Sequence, residues 1–245
     1  MNKYILILVA IVLFTNCTEH KEINAQTITD NAITVSGGDK IKNSTINFDF
    51  RNRHYKAVRN NGNFQFERQF KDSLNNITDV LSNDGYKRFI NNELVKVADS
   101  MIPRYSASVN SVHYFSVLPF GLNDAAVNKE FLNDVEIKGN TYHKIKITFN
   151  QEGGGEDFED VFVYWINTKT FKTDYIAYSY IESDGVGLRF REAFNERFVN
   201  GIRFVDYNNY KATDTENSVL KLDEHYKNNT LKFLSKIELK QIKVN

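Results

Sequence analysis

Four arginines crowd one short stretch of the chain, where an anion could bind. They are Arg189, Arg191, Arg197 and Arg203, and they surround an Asn-Gly pair at 200–201. Side chains alternate along a strand, so Arg189 and Arg191 share one face. A guanidinium binds carboxylate or phosphate through two parallel hydrogen bonds. The residues that could bind a lipid head group or an acidic glycan are therefore Arg189, Arg191 and Arg203. The alternative, which we favour, is cross-strand pairing with Glu192, Glu196 and Asp206 on a solvated wall.

A second charged segment, residues 152–160 (EGGGEDFED), combines glycines with carboxylates. A phosphate loop needs a Lys and a Ser or Thr after its glycines, and these carboxylates would repel the anion. Ca²⁺ takes about six to eight oxygen ligands from flexible loops, although EF-hand spacing is missing. The weak candidates for Ca²⁺ are Glu156, Asp157, Glu159 and Asp160. We favour the alternative of an acidic, solvated loop between two strands.

Cys17, the only cysteine, stands where a lipoprotein would be acylated. Lys3 and an unbroken apolar run from Tyr4 to Phe14 precede it, which is typical of a secretory signal peptide and too short for a membrane-spanning helix. The site resembles a loose lipobox, with Phe14 and Asn16 where Leu and a small residue are usual. We therefore expect a signal peptide over 1–16, a lipid anchor and tether over 17–24, and an outer-membrane lipoprotein. The alternative is cleavage after Ala25 and a soluble periplasmic protein.

No catalytic arrangement is evident in the sequence. The five histidines form no HExxH motif and no pair at metal-ligand spacing, and no GxSxG elbow occurs. The single thiol is expected to carry lipid. We therefore expect neither an enzyme nor a cofactor. The histidines are His20, His54, His113, His143 and His225.

The aromatic content is high, with 19 Phe, 13 Tyr and one Trp. Aromatic residues favour strands, and some could line a cavity for an apolar ligand. The candidates are Tyr114, Phe115, Phe120, Phe149, Phe162, Tyr164, Trp165 and Tyr178. The alternative is that they fill the core, as most such residues do.

Strands joined by tight turns must position these side chains. Alternating apolar residues, as in Ile46-Phe48-Phe50, indicate strands with one buried face, and the apolar run 161–166 indicates a central strand covered on both faces. The turns expected are Asn61-Gly62, Asp84-Gly85, Asp184-Gly185 and Asn200-Gly201, with Gly139-Asn140 as a weaker one.

Helices are expected to be few. Residues 25–36 place Ile28, Ala32 and Val35 on one stripe and end at a Gly-Gly pair. A second helix is predicted over 101–114, with Asp99 as its cap and Pro103 in its first turn. A third is predicted over 219–234. Together with about ten or eleven strands, this gives an α+β, mainly β fold: a curved antiparallel sheet, open as a half-barrel, with helices on its concave face.

Composition limits the partners. Without Lys3, 30 basic residues face 31 acidic ones, a balance that argues against nucleic acid and against a surface that binds anionic lipid head groups. Two prolines and no linker-like segment after residue 24 favour a single domain over 25–245.

Sequence blocks over nearly the whole mature part resemble a domain-of-unknown-function family of Bacteroidota lipoproteins. They are FDFRNRHY (48–55), SVNSVHYF (108–115), LPFGLND (118–124), GGGEDFEDVFVYWIN (153–167), DYIAYSY (174–180), GLRFREAFNERFVNGIRF (187–204) and DYNNYK (206–211). The layout also resembles the LolA/LolB superfamily of periplasmic lipoprotein carriers, whose strand, Lys-Thr turn, strand pattern is present in YWINTKTFKTDYIAY (164–178). That resemblance implies an apolar cavity for acyl chains at the level of the fold only.

Two functions are compatible with these features. The first is an envelope lipoprotein that binds or carries a lipid or another apolar ligand in its half-barrel. The alternative is a non-enzymatic interaction module of an envelope complex, whose protein partner the sequence does not identify.

Overall fold

Two seven-stranded antiparallel sheets make up most of the molecule. The computed structural model describes residues 24–155, 158–182, 185–212 and 218–245. The strands of sheet I are β1 (Asn43–Phe50), β2 (Arg53–Asn60), β3 (Asn63–Asp72), β4 (Asn75–Ser82), β5 (Gly85–Ile90), β6 (Glu93–Val95) and β14 (Leu239–Val244). Those of sheet II are β7 (Val127–Ile137), β8 (Asn140–Phe149), β9 (Phe162–Asn167), β10 (Thr173–Glu182), β11 (Gly185–Val199), β12 (Ile202–Lys211) and β13 (Lys232–Ile237).

Both sheets follow chain order almost throughout. Sheet I runs β14-β1-β2-β3-β4-β5-β6 and sheet II runs β13-β12-β11-β10-β9-β8-β7. The outer strands β6 and β7 belong to different sheets and do not pair in the described structure, so the arrangement stays an open half-barrel. This confirms the predicted fold class, with fourteen strands in the described ranges rather than ten or eleven.

Four helices accompany the sheets in the described part of the chain. They are α1 (Ala25–Val35), α2 (Gly38–Ile41), α3 (Ile102–Ser116) and α4 (Leu222–Lys227), with single 3-10 turns at Asp99–Met101 and Val219–Lys221. The helix α1 begins where the Asn24 side chain accepts a hydrogen bond from the Thr27 amide at 2.9 Å, a standard N-cap. It ends at Gly37, whose φ of 83° suits glycine.

The helices cover both faces of sheet II and the inner face of sheet I. Ile28 and Ala32 of α1 are fully buried against β8, β9 and β10. One cluster joins Val109 of α3 to residues of both sheets, including Phe48 and Phe204. On the outer face of sheet II, Leu222 of α4 packs with the opposite side of the same strands. The strand β9 is therefore buried on both faces, as the apolar run predicted.

The helix α4 is held by a buried ion pair on that outer face. The Lys144 Nζ donates to the Asp223 carboxylate at 2.7 Å and to the Leu220 carbonyl at 2.6 Å. Both charged side chains are less than 8% exposed, at 7% and 1%. Their hydrogen bonds offset the cost of removing two charges from water.

Several local predictions need correction. The third helix ends at Lys227 instead of residue 234, because Asn229 adopts a positive φ and residues 232–237 pair with β12 as a strand. Asp99 lies within a 3-10 turn and does not cap α3 through its side chain. The β4–β5 turn is centred on Asn83 and Asp84, one residue early, and the β7–β8 turn on Lys138 and Gly139.

The turns at Asn61-Gly62 and Asn200-Gly201 are confirmed, with positive φ at all four residues. The turn predicted at Asp184-Gly185 falls partly outside the described residues.

A buried histidine joins α3 to sheet I. His113 is fully buried among the rings of Phe48, Tyr55 and Phe66, at centroid distances of 5.8, 5.5 and 4.7 Å. Its Nε2 hydrogen-bonds the Glu67 carbonyl at 3.0 Å. Burial lowers the pKa of His113 to about 3. The nearby cations of Arg59 and Arg68 also lower it, whereas the hydrogen bond to Glu67 raises it.

This burial predicts a pH-dependent stability. Below about pH 6.5 the unfolded chain protonates His113 while the folded chain does not. The free energy of unfolding should therefore fall as pH drops from about 6.5 towards about 3, by up to about 1.4 kcal/mol per pH unit from this residue. In His113→Phe this contribution is absent. Urea titrations of both proteins across this range test it, and parallel pH profiles would contradict it.

Candidate functional site: a cavity at the seam of the two sheets

The C-terminal strands join the two sheets at what we call the seam, formed by β12, β13, β14 and β1. β13 pairs with β12 and β14 pairs with β1, and only Glu238 separates them. At the crossing, the Asp206 carboxylate accepts hydrogen bonds from the Leu239 amide at 2.9 Å, Arg197 at 2.9 Å and Asn195 at 2.6 Å. Arg197 also donates to the Leu239 carbonyl at 2.7 Å. The backbone N–H and C=O of Leu239 therefore have hydrogen-bond partners where the chain passes from sheet II to sheet I.

A cavity of about 340 Å³ lies at this seam, beneath α3. Its apolar lining comes from both sheets and the helix: Phe50, Val112, Phe115, Tyr178, Val205, Tyr207, Ile237 and Leu239. The polar lining consists of Arg51, Ser111, Ser116, Arg191 and Asn209. None of these lining residues is acidic. Ligand pockets in proteins are of this kind, mostly apolar with a few polar groups, and range from about 300 to 1,000 Å³.

Arg191 is the polar residue held most closely by the aromatic lining. Its Nη2 donates to the Tyr178 hydroxyl at 2.7 Å. The guanidinium lies 4.1 Å from the ring centroid of Phe115, 5.0 Å from that of Tyr178 and 5.9 Å from that of Tyr207. Its Nε is buried without a hydrogen-bond partner. Arg191 therefore brings a positive charge to a largely apolar wall.

Three tyrosines in or behind the cavity wall, Tyr114, Tyr164 and Tyr207, are not suited to proton transfer at neutral pH. Burial raises the pKa of Tyr207, although the charges of Arg203 and Arg191 oppose it. Burial raises the pKa of Tyr114 to about 12 and that of Tyr164 well above its usual value. These hydroxyls stay protonated, so the chemistry that this wall offers is binding by hydrogen bonds and apolar contact.

A family model matches residues 2–239 of the chain, and it describes a family of unknown function, DUF6503. The chain belongs to the DUF6503 family. This confirms the predicted membership of a domain-of-unknown-function family. No curated protein matches the sequence.

Three solved structures are similar to this DUF6503 protein over most of its length. A LolA superfamily protein from Nitrosomonas europaea is 10% identical, with 91% of this chain and 92% of that chain covered and a TM-score of 0.48. A DUF1329 family protein from Desulfovibrio piger is 8% identical, with 90% and 92% covered and a TM-score of 0.43. An outer membrane lipoprotein-sorting protein domain from Vibrio parahaemolyticus is 9% identical, with 76% and 86% covered and a TM-score of 0.42.

The structure brings together six of the eight aromatic residues predicted to line a cavity. Phe115 and Tyr178 line it directly. The other four belong to the same core cluster and are Tyr114, Phe149, Phe162 and Tyr164. Phe162 stacks on Tyr178 with ring centroids 5.2 Å apart, so these rings support the wall from behind.

The remaining two candidates lie elsewhere. Phe120 packs with the cluster of sheet I, where the Arg59 guanidinium lies 5.9 Å from its ring centroid. Trp165 lies on the outer face of sheet II with Phe190, because it follows Tyr164 directly and successive side chains of a strand point to opposite faces.

The three anion-binding candidates also separate. Arg203 is 4% exposed at its side chain and is engaged by Glu196, by Asp174 at 3.3 Å and by the Thr173 carbonyl at 2.9 Å. Burial tends to raise the pKa of Glu196, but hydrogen bonds from Arg203 and Lys172 outweigh it and the pKa is lowered. Of the three acidic partners that we favoured, Arg203 contacts Glu196, whereas Asp206 pairs with Arg197 and Glu192 with Lys138.

Arg189 and Arg191 share one face of β11, but only Arg191 lines the seam cavity. Arg189 faces Tyr178 across the ladder and Arg191 faces Ile176. Arg189 donates to the Leu188 carbonyl at 3.0 Å and lies 4.9 Å from the Tyr180 ring centroid. It borders a neighbouring depression that also contains Glu159 and Asp160.

Most of the remaining predicted site residues lie outside the described part of the chain. Cys17, Glu156 and Asp157 lie outside the described residues, so the lipid anchor and the Ca²⁺ prediction stay predictions. Within the described ranges, no group of three or more His, Cys, Asp or Glu side chains is placed to hold a metal ion. None of the helices described is long and apolar enough to span a membrane.

Two larger concavities have a more polar lining than the seam cavity. One of about 760 Å³ lies beside the β1–β2 turn and is lined mainly by exposed polar residues such as Asn52, Arg53, Lys71 and Asn92. Another of about 520 Å³ lies beside α4. The seam cavity combines the larger apolar share of lining with a half-buried charge, which makes it the candidate site.

Sequence reasoning missed the cavity residues of the C-terminal strands. Ile237 and Leu239 lie in residues 232–244, where apolar residues recur among lysines. That recurrence was the available signal. Ile237 faces Tyr207 because β13 pairs with β12, and Leu239 faces Phe50 because β14 pairs with β1, a strand that is distant in the sequence.

Asp206→Asn tests whether this carboxylate holds the seam. The loss of its charge weakens three hydrogen bonds, two of them to Leu239 and Arg197, and should lower the free energy of unfolding by about 2–3 kcal/mol. In Asp206→Asn the amides of β14 should exchange with deuterium faster than they do in the wild type, and those of β2 should exchange as in the wild type. The exposed Asp72→Asn, at the end of β3, is the control and should change neither quantity. Unchanged exchange in β14 would refute this role for Asp206.

Proposed function

We propose that this protein is an envelope lipoprotein that binds or carries a lipid or another apolar ligand in the seam cavity. The observation that carries the proposal is the cavity itself, which is lined by apolar side chains from both sheets and from α3. Each methylene group of a ligand buried there would contribute about 0.8 kcal/mol. The proposal involves no catalytic step.

Placement of the cavity favours a carrier over a fixed structural void. Its walls come from three parts of the fold, namely α3, sheet II and the β1–β14 edge of sheet I. The helix joins two sheets that do not close on each other. A small displacement of α3 would therefore open the cavity without breaking either sheet.

Attachment to the outer membrane through Cys17 is part of the proposal. A single cysteine directly after an apolar run of signal-peptide length supports it. Two or three acyl chains anchor a protein stably. The domain would then face either the periplasm or the cell surface.

A second candidate function is an interaction module. Ile181 and Val186, which face each other near the end of the β10–β11 hairpin, are 66% and 69% exposed. Leu74, in the β3–β4 turn, is 96% exposed. The adjacent Ile181 and Val186 form a small apolar patch, and contiguous apolar patches mark contact sites for partner proteins. This function needs no ligand in the cavity.

Val112→Trp tests the ligand site. The larger side chain should occupy the cavity and weaken binding of a fluorescent apolar probe by at least about tenfold, the value of about two buried methylenes. Val186→Trp places the same side chain on an exposed hairpin and should bind the probe as the wild type does. Circular dichroism shows whether both variants are folded. Equal binding by wild type and Val112→Trp would exclude the seam cavity, and absence of binding by the wild type would favour the interaction module.

Cys17→Ser tests the anchor. Without a thiol to acylate, the protein should incorporate no labelled palmitate. Thr15→Ser, two residues away, is the control and should be labelled as the wild type is. Palmitate labelling that persists in Cys17→Ser would disprove attachment at this residue.

A further inference from the structure

Arg191 stands apart from its neighbouring arginines in having no ion-pair partner among the described residues. Arg197 pairs with Asp206 at 2.9 Å, and Arg203 pairs with Asp174 and Glu196. Arg191 instead contacts the Tyr178 hydroxyl and three aromatic rings. Because a charge that is partly removed from water needs a counter-charge or hydrogen bonds, an anion would complete this site.

The hydrogen-bond geometry prepares a place for that anion. The Tyr178 hydroxyl accepts from Arg191 Nη2 at 2.7 Å, so its own proton is left to donate to a second acceptor. An oxygen beside both groups would receive one bond from the guanidinium and one from the phenol. Carboxylate and phosphate oxygens form the strongest bonds of this kind.

The rest of the lining agrees in charge and polarity. Arg51, exposed at the rim, is the second cation of the cavity, and no acidic residue lines it in the described structure. The remaining polar lining is neutral. Arg59 also lacks an ion pair within the described ranges, but it stacks on Phe66 at 4.7 Å and does not line the cavity.

The size of the cavity restricts the apolar part of the ligand. At about 340 Å³ it lies near the lower end of the range for ligand pockets. One slender chain fits such a volume better than the two or three acyl chains of a lipoprotein anchor. The aromatic wall of Phe115, Tyr178 and Tyr207 runs from Arg191 into this space.

Building on the proposed function, we propose that the ligand is an anionic single-chain amphiphile whose carboxylate or phosphate is bound by Arg191 and Tyr178. Its chain occupies the apolar part of the seam cavity. Arg51 attracts the anion at the rim without contacting it in the bound state.

The test compares ligands that differ only in charge. Protein from residue 18 onward, which keeps every described residue but lacks the signal peptide and the acylated cysteine, is purified without detergent, stripped of lipid on an apolar resin, and titrated with dodecanoate and with dodecanol. The wild-type cavity should bind dodecanoate at least about tenfold more tightly, the value of one charged hydrogen bond. Dodecyl phosphate should behave like dodecanoate. Inorganic phosphate or acetate at millimolar concentration should not displace either, since neither carries a chain.

Arg191→Met keeps the long side chain against Phe115 but removes its charge. It should lose the preference for dodecanoate while binding dodecanol as before, which also shows that it is folded. Arg191→Lys should retain part of the preference, and Tyr178→Phe should reduce it less than Arg191→Met does. Arg189→Met, on the same face of the same strand, is the matched control and should leave the preference unchanged.

Each contrary result has a distinct meaning. Equal affinity of the wild type for acid and alcohol overturns the anionic head group but leaves an apolar ligand in place. A preference that survives Arg191→Met overturns the role of Arg191. Displacement by inorganic phosphate alone shows a free-anion site instead of an amphiphile site. If the wild type binds neither dodecanoate nor dodecanol, the proposed function itself fails.

Discussion

The passage of the C-terminal chain from one sheet into the other is the constraint on which the rest of the structure depends. β13 completes sheet II and β14 completes sheet I, with Glu238 alone between them. At this crossing the backbone N–H and C=O groups cannot all find partners in one strand ladder. A buried amide without a hydrogen-bond partner lowers the stability of the fold. Asp206 and Arg197 supply the missing partners at Leu239. Because the two sheets meet without closing, a cavity remains beneath α3.

The contacts of the arginines on β11 and β12 also depend on this region of the fold. The ladder between these strands shifts register between Phe194 and Arg197, and such a bulge redirects the side chains that follow it. Beyond the bulge, Arg197 and Arg203 reach acidic partners. Before it, Arg191 faces the aromatic wall of the cavity. Arginines that lie close together in the sequence thus take different roles. Those beyond the bulge form structural ion pairs, and Arg191 before it carries a charge that is available to a ligand.

Local signals predicted the elements whose structure depends on nearby residues. The stripe of Ile28 and Ala32 with its terminal glycines identified α1, and Asn-Gly pairs identified two hairpin turns. The C-terminal segment was harder, because the leucines of 219–234 fit a helix while the pairing of β13 with β12 is set by residues far away in the chain. Period-two alternation could have separated Tyr164 from Trp165. The partners of each arginine depend on the bulge, which no local signal marked.

The central claim is that the seam cavity holds an apolar chain when the protein is in its own envelope. Native mass spectrometry of the protein from residue 18 onward, exported without the lipid anchor and purified without detergent, tests it most directly. We expect a reproducible added mass that organic extraction identifies as a single-chain amphiphile and that Val112→Trp lacks. A bare mass for the wild type, in a preparation that also takes up no apolar probe, would contradict the account.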